Sequence, residues 1–243
     1  MKQGIFVILE NEKLAPNTFR MVLRGDTSAI TAPGQFVNIA LSGRFLRRPI
    51  SICDWEGDAL TILYKTVGKG TRQMSGMAPG RRLDLLTGLG NGYDLSKSGD
   101  RPLLIGGGAG IPPLYGLAKR LLSQGKRPAA ILGFNTAAEI FYQAEFEALG
   151  IPVTVTTADG SAGTAGFVTA AMPAADGTYI YTCGPGPMLR AVYDASSVSG
   201  QYSFEERMGC GFGACMGCTC RTKYGNKRIC REGPVLEKEE ILW

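Results

Sequence analysis

Histidine is absent from all 243 residues. Its absence removes a Cys/His zinc finger, a Rieske cluster and any Ser–His or Cys–His catalytic pair. Acid–base chemistry at neutral pH would have to come from elsewhere. Long hydrophobic runs are missing too: stretches such as 102–105 and 129–134 fall far short of the ~18 apolar residues a membrane-spanning helix needs. The N-terminus carries no signal-peptide pattern, so a cytoplasmic protein is expected. The formal charge of +5 is modest, and its basic residues are scattered apart from Arg44, Arg47, Arg48 and the pair Arg81–Arg82. Without a basic stripe, nucleic-acid binding has no footprint, whereas a local patch suits anionic cofactors or an acidic partner. Neither internal repeats nor low-complexity segments occur.

Glycine, by contrast, is abundant, with 34 residues, and five of the seven cysteines lie between Cys210 and Cys230. In a chain without an export signal such crowding argues for metal rather than disulfides. Up to about residue 95 the chain shows short β-prone runs (4–10, 18–23, 35–40, 50–54, 59–66 and 82–86) separated by turn signals such as Ala32-Pro33-Gly34 and Glu56-Gly57-Asp58. An antiparallel barrel is expected there. After a polar linker at 96–100, strands and helices alternate: 102–105, 129–134, 153–157 and 179–183 as strands, 112–124, 136–149 and 186–195 as helices. Segment 168–171 continues this rhythm, and a doubly wound parallel sheet follows from it. Beyond about residue 196 comes a cysteine-rich and glycine-rich tail too short to bury its own core, so it requires a staple. The expected units are a β-barrel domain at 1–97, an α/β domain at 98–196 and a small cysteine-bearing domain at 197–243.

The spacing Cys210-x4-Cys215-x2-Cys218 is that of plant-type [2Fe–2S] ferredoxins, in which a tight loop of thiolates surrounds one iron and a distant cysteine completes the second. Cys230 is the candidate fourth ligand, nearer than the corresponding residue in ferredoxins proper. Glycines at 209, 211, 213 and 217 let amide N–H groups aim at the sulfides. Cys220 could replace Cys218 if the loop registers differently. A four-thiolate zinc ribbon is the competing reading, although it normally shows two C-x2-C knuckles.

Gly106-Gly107-Gly108-Ala109-Gly110-Ile111-Pro112-Pro113 joins a strand to a helix, where a pyrophosphate meets backbone N–H groups and the positive end of a helix dipole. It is not a strict G-x-G-x-x-G, because Ile111 stands at the last glycine position. Cys183-Gly184-Pro185 closes another strand, so both loops can face one crevice, and Asp159-Gly160-Ser161 adds a third turn after a strand. Segment 134–136 offers neither an arginine for a 2′-phosphate nor an acid for a ribose diol, a weak tilt to NADH over NADPH. At Arg48-Pro49-Ile50-Ser51 an arginine fork can grip a phosphate while the serine reaches a flavin ring.

The order of these motifs, with Gly68-Lys69-Gly70-Thr71 between the first and the glycine loop, resembles the ferredoxin-reductase superfamily. The cysteine loop and Gly233-Pro234-Val235 narrow the match, and essentially the whole chain resembles the electron-transfer subunit of B-type dihydroorotate dehydrogenase. The resemblance implies an oxidoreductase subunit of pyrimidine biosynthesis with FAD, a [2Fe–2S] cluster and NAD as substrate. FAD would be held by Arg48, Pro49, Ile50 and Ser51, by Leu63, Tyr64 and Lys65, and by Gly70 and Thr71. NAD would meet Gly107, Gly108, Gly110, Asp159, Cys183, Gly184 and Pro185, and the cluster Cys210, Cys215, Cys218 and Cys230. The superfamily often has an aromatic residue where Ile50 stands; Tyr64 could substitute as a flavin-stacking ring or simply be a core tyrosine. Hydride transfer between NADH and FAD, then single-electron steps through the cluster to FMN of a separate catalytic subunit, are implied, in a heterotetramer of two plus two. No residue of this chain then needs a catalytic acid–base role. Related reductase subunits serve sulfide dehydrogenases, hydrogenases or ferredoxin:NADP oxidoreductases, which keeps the partner open.

Overall fold

The structure is a computed structural model that describes residues 1–172 and 177–243. Six antiparallel strands, β1 (Lys2–Ala15), β2 (Thr18–Arg24), β3 (Phe36–Ile39), β4 (Arg48–Glu56), β5 (Ala59–Lys65) and β6 (Arg82–Leu89), close in the order β1-β2-β5-β4-β3-β6. Alternation sends Phe6 and Ile8, Met21 and Leu23, and Leu60 and Ile62 into the interior, where all six are fully buried. Closure leaves no unpaired edge. A short helix, α1 (Lys69–Ser75), follows β5 in a segment without helical periodicity; Gly68 N–H donates to the Thr71 hydroxyl at 3.2 Å, capping its first turn.

The second sheet has the order β10-β9-β8-β7-β11-β12-β15. Its parallel part comprises β7 (Pro102–Gly107), β8 (Ala129–Phe134), β9 (Val153–Thr157), β10 (Thr164–Ala165), β11 (Tyr179–Cys183) and β12 (Gly200–Ser203). Helices α2 (Ile111–Ser123), α3 (Gln143–Ala148) and α4 (Gly186–Ala195) form the crossovers. The expected single helix over 136–149 is instead a 3₁₀ turn at Ala137–Glu139 followed by α3. Tyr142, with φ of 63°, breaks it by entering the left-handed region. Segment 168–171 forms a 3₁₀ turn at Val168–Ala170.

Two strands from the segment assigned to the cysteine-bearing tail belong to this sheet. β12 pairs in parallel with β11, and β15 (Val235–Glu237) pairs antiparallel with β12. The cysteine-rich segment between them is thereby tethered at both ends, with only the hairpin β13 (Thr219–Thr222) and β14 (Gly225–Arg228) as regular structure of its own.

Barrel and sheet share a core. Cys53, Leu63 and Tyr93 pack with Leu114, Leu117 and Leu121 of α2, all buried. The two units approach so closely that a methyl on Gly116 of α2 would collide with the Cys53 carbonyl. Arg120 lies over the Trp55 ring, 3.4 Å from its centroid, and together with Lys119 pairs with Asp54. The crevice between the units is therefore held by apolar packing and by a charged clamp. Among the described residues no helix is long and apolar enough to cross a membrane.

Candidate functional site

A cavity of about 490 Å³ opens where β7, β8, β9 and β11 end. Gly107 and Gly108 line it from one loop and Pro185 and Met188 from the other, with Phe134 and Phe167 as apolar walls. Gly108 has φ of 50°, a conformation that turns the chain away from β7 and that a side chain would disfavour. The two loops touch: a methyl on Gly110 would meet the Cys183 carbonyl and lie 2.5 Å from Gly184 N. Glycines are thus needed here for backbone-to-backbone approach. Asp159 sits on the neighbouring turn, exposed, its carboxylate accepting from the Ser161 amide at 3.0 Å and hydroxyl at 2.6 Å. Those bonds hold its carboxyl below the usual range.

A residue that sequence reasoning passed over also lines this cavity. Glu139, five positions beyond the end of β8, accepts from Asn135 Nδ2 at 3.1 Å and pairs with Lys65 Nζ at 3.3 Å. Segment 134–136 at the strand end carries no acidic group; the 3₁₀ turn beyond it brings Glu139 back over the strand end. Lys65 comes from the barrel, so this pair crosses the crevice between the two units.

The residues expected to hold FAD form a strip along β4 and β5. Arg48 opens β4, and its guanidinium lies over α1: a methyl on Gly70 would sit 3.0 Å from both Cδ and Cζ of Arg48. The cradle is therefore an arginine fork beside the first-turn amides of α1, with Thr71 buried beneath. Pro49, Ile50 and Ser51 are half-buried on β4, with Ile50 packed on the barrel core. Leu63 is buried in the core shared by the two units. Tyr64 points the other way, into the barrel, where it is 3% exposed, hydrogen-bonds Asn11 at 2.8 Å and stacks on Phe19. Strand alternation puts it on the opposite face from Leu63 and Lys65, so it is a core tyrosine and not a flavin-stacking ring.

Cys183 ends β11 with its side chain buried; burial, then the Glu205 carboxylate, push its thiol up to about 12. It is a neutral thiol at physiological pH. Tyr93, whose hydroxyl donates to the Thr182 carbonyl at 3.1 Å, packs beside it.

The cysteine loop gathers its thiols in two pairs. Amides of Ala214 and Cys215 donate to Cys210 Sγ at 3.2 and 3.4 Å, and the amides of Cys210 and Gly217 to Cys215 Sγ at 3.4 and 3.5 Å. The Cys230 amide donates to Cys218 Sγ at 3.4 Å. Partial desolvation works upward on Cys210, but amides of Phe212, Cys215 and Ala214 and the Cys215 thiol outweigh it and hold that thiol at about 6. Burial, and then Cys218 beside it, push Cys230 up to about 12. Among the described residues no three or more His, Cys, Asp or Glu side chains stand together as they would around a single ion. Two thiol pairs ringed by amide donors are the donor set of a two-iron, two-sulfide centre with two thiolates per iron. Cys220 lies on β13, half-buried against the neighbouring core, with its thiol raised by burial. The loop bonds firmly to the barrel: Asn38 Nδ2 donates to the Cys210 carbonyl at 3.0 Å, and a methyl on Gly211 would strike the same amide.

Comparison with known proteins agrees with this layout. Residues 205–242 match the iron–sulfur cluster binding domain of dihydroorotate dehydrogenase B, and residues 104–194 the oxidoreductase NAD-binding domain. The chain is 40% identical to the electron transfer subunit of dihydroorotate dehydrogenase B (NAD(+)) from Bacillus pumilus, covering 99% of this chain and 98% of the relative. The subunit of the same name from Fusobacterium nucleatum is 43% identical over 99% of both. Among solved structures, that of an NADH-dependent reduced ferredoxin-NADP oxidoreductase superposes with a TM-score of 0.90 at 29% identity, covering 98% of this chain and 90% of that one. A ferredoxin NADP+ reductase from Neisseria gonorrhoeae, at 16% identity and a TM-score of 0.70 over 80% of this chain and 90% of that one, shares the fold.

Proposed function

This chain belongs to the family of dihydroorotate dehydrogenase B (NAD(+)) electron transfer subunits, and from that premise we propose that it conducts electrons released by dihydroorotate oxidation in a partner subunit to NAD+. It is an oxidoreductase subunit of pyrimidine biosynthesis that works with FAD, a [2Fe–2S] cluster and NAD. When bound, FAD supplies the conversion between two-electron hydride chemistry and single-electron chemistry, and the cluster supplies a one-electron carrier. The partner in this proposal is an FMN-containing catalytic subunit, two copies of which associate with two of this chain in the cytoplasm.

The chain's own residues bind and orient. Arg48 and the amides of Gly70 and Thr71 grip the FAD diphosphate; Pro49, Ile50 and Ser51 with Leu63 and Lys65 line the remainder of its site, and Tyr64 contributes backbone alone. Gly107, Gly108 and Gly110 would bring backbone to the NAD diphosphate, with Pro185 lining the cavity and Asp159 on a neighbouring turn. Cys183 and Gly184 pack as backbone behind Gly110. Cys210 with Cys215, and Cys218 with Cys230, would hold the [2Fe–2S] cluster as two thiolate pairs. No side chain is asked to act as a general acid or base, in keeping with the absence of histidine. The three units 1–97, 98–196 and 197–243 follow these ligands, the last lending β12 and β15 to the sheet of the second.

The observation that carries the proposal is the paired thiols, set in a loop that hydrogen-bonds directly to the barrel. Whole-chain identity near 40% with subunits of one name favours this complex over those of other reductases. The test is NADH formation from dihydroorotate and NAD+ by the complex purified from native cells. Formation that requires this chain is expected; co-purification with a partner that does not oxidise dihydroorotate would overturn the assignment.

A further inference from the structure

NAD carries a dianionic diphosphate, and a cavity that takes it out of water must offset that charge. Among the described residues that line the cavity of about 490 Å³, only Lys65 and Glu139 carry charged side chains. They are paired with each other: Lys65 Nζ lies 3.3 Å from Glu139 Oε2, with the side chains 25% and 26% exposed. The ammonium also stands over the glycine loop, because a methyl on Gly108 would lie 3.5 Å from Lys65 Nζ and 3.9 Å from its Cε. So the single cation of the cavity already sits where the loop offers its amides, and a carboxylate occupies it.

The two partners differ in how they are held. Lys65 is the last residue of β5, its backbone fixed by pairing with Thr18 of β2, while its flexible four-carbon stem lets the ammonium swing between neighbouring acceptors. Glu139 is anchored independently of it: Asn135 Nδ2 donates to Oε1 at 3.2 Å and to Oε2 at 3.1 Å, across the 3₁₀ turn that follows β8. Glu139 therefore keeps a donor at the strand end when Lys65 turns away. A diphosphate on the loop attracts Lys65 and repels Glu139, and both effects are strong in a half-enclosed site. Binding there exchanges one anionic partner of the ammonium for another.

We propose that Glu139 competes with the NAD diphosphate for Lys65, so that this carboxylate sets NAD affinity from within the site by holding the ammonium the nucleotide needs. The proposal rests on the NAD site described above and deepens it. Lys65 lines the FAD strip with its backbone and sends its side chain into the NAD cavity, which adds a cation from the barrel to a site otherwise built by loops of the sheet. Glu139 is a positioning residue: it acts on the nucleotide through Lys65, lowers the affinity that Lys65 alone would give, and eases release of NADH by reclaiming the ammonium.

The test is isothermal titration calorimetry of NAD+ into the oxidised chain carrying its cofactors, at two ionic strengths. Glu139→Gln removes the charge but keeps an acceptor for Asn135, and Lys65→Met keeps the stem without its charge. Glu139→Gln is expected to tighten NAD+ roughly threefold. Lys65→Met should weaken it roughly tenfold and flatten its salt dependence. In the Lys65→Met background the gain from Glu139→Gln should shrink. A merely structural pair would lower affinity from either side, so the opposite signs separate the two roles. Weaker or unchanged binding in Glu139→Gln, which leaves Lys65 in place, would overturn the competition, as would an equal gain with and without Lys65. Loss of FAD from Lys65→Met with NAD+ affinity unchanged would assign the ammonium to FAD and overturn it as well. If the parent chain does not bind NAD+, the NAD site itself fails, a result distinct from all of these.

Discussion

Replacing Gly110 by alanine tests the closeness of the two nucleotide loops directly. Gly110 has φ of −84° and ψ of −9°, a conformation alanine accepts, so the substitution alone would stabilise the chain by about 0.4–1 kcal/mol through the unfolded state. Against that, the new methyl lies 2.5 Å from Gly184 N and nearer still to the Cys183 carbonyl. Ordinary carbon contacts begin near ~3.5 Å, so the loops must part by roughly 1 Å. Neither side yields easily, because both are backbone and the strands behind them are paired, Thr182 with Ile105 and Cys183 with Gly106. Overpacking of this kind costs about 1–3 kcal/mol, and backbone on both sides puts this contact in the upper half, about 2–3 kcal/mol, leaving a net loss of roughly 1–2.6 kcal/mol. At about 2–4 °C per kcal/mol for a chain of this size, Tm should fall by about 2–10 °C. Because both loops line the cavity, KM for NADH should rise several-fold while FAD content stays unchanged. Gly186→Ala is the control, since a methyl there meets nothing within 4 Å. The assays are thermal unfolding and steady-state NADH oxidation. A Gly110→Ala protein as stable as the parent, with unchanged KM, would refute the contact.

Three further outcomes follow from the same geometry. Cys220→Ser should keep the visible absorbance of the cluster while Cys218→Ser loses it; the reverse would move the fourth thiolate to β13. Arg48→Ala removes a charge-assisted grip worth about 1.5–3 kcal/mol, so FAD should bind roughly 10- to 100-fold more weakly by fluorescence titration, and unaltered affinity would remove Arg48 from the site. Hydrogen bonds from Arg228 hold the Glu232 carboxyl at about 2, below its usual 4.5, and Arg228 also donates to the Gly213 carbonyl of the cysteine loop at 2.6 Å. A depressed carboxyl stabilises the fold above its unfolded pKa and loses that contribution as pH falls through its folded one. Glu232→Gln should therefore unfold at a lower temperature than the parent at neutral pH, with the gap closing between about 4.5 and about 2. A gap independent of pH would mean the pair contributes nothing.

Alternating apolar residues and turn signals marked all six barrel strands, since a closed barrel keeps one face inside along its whole circumference. The strand–helix rhythm marked the parallel sheet for the same reason. What was not legible depended on tertiary partners. The segment carrying Gly70 and Thr71 has too little apolar periodicity to announce α1, which forms around Thr71 and beneath Arg48. Tyr142 gives no local sign of its left-handed turn. β12 and β15 are only four and three residues long, and their sheet membership comes from pairing with β11 and with each other. Glu139 reaches the cavity through a 3₁₀ turn that no sequence motif signals. Cysteine spacing indicated the candidate ligands; which thiol pairs with which required the Cys230 amide against Cys218 and the Cys215 amide against Cys210.

The central claim is that the paired thiols hold a two-iron centre. Low-temperature electron paramagnetic resonance of the dithionite-reduced chain, alongside iron and sulfide analysis, tests it most directly. The account predicts one unpaired spin per chain with equal amounts of iron and acid-labile sulfide, both lost in Cys215→Ser. A preparation that binds zinc at these thiols and shows no spin on reduction would contradict it.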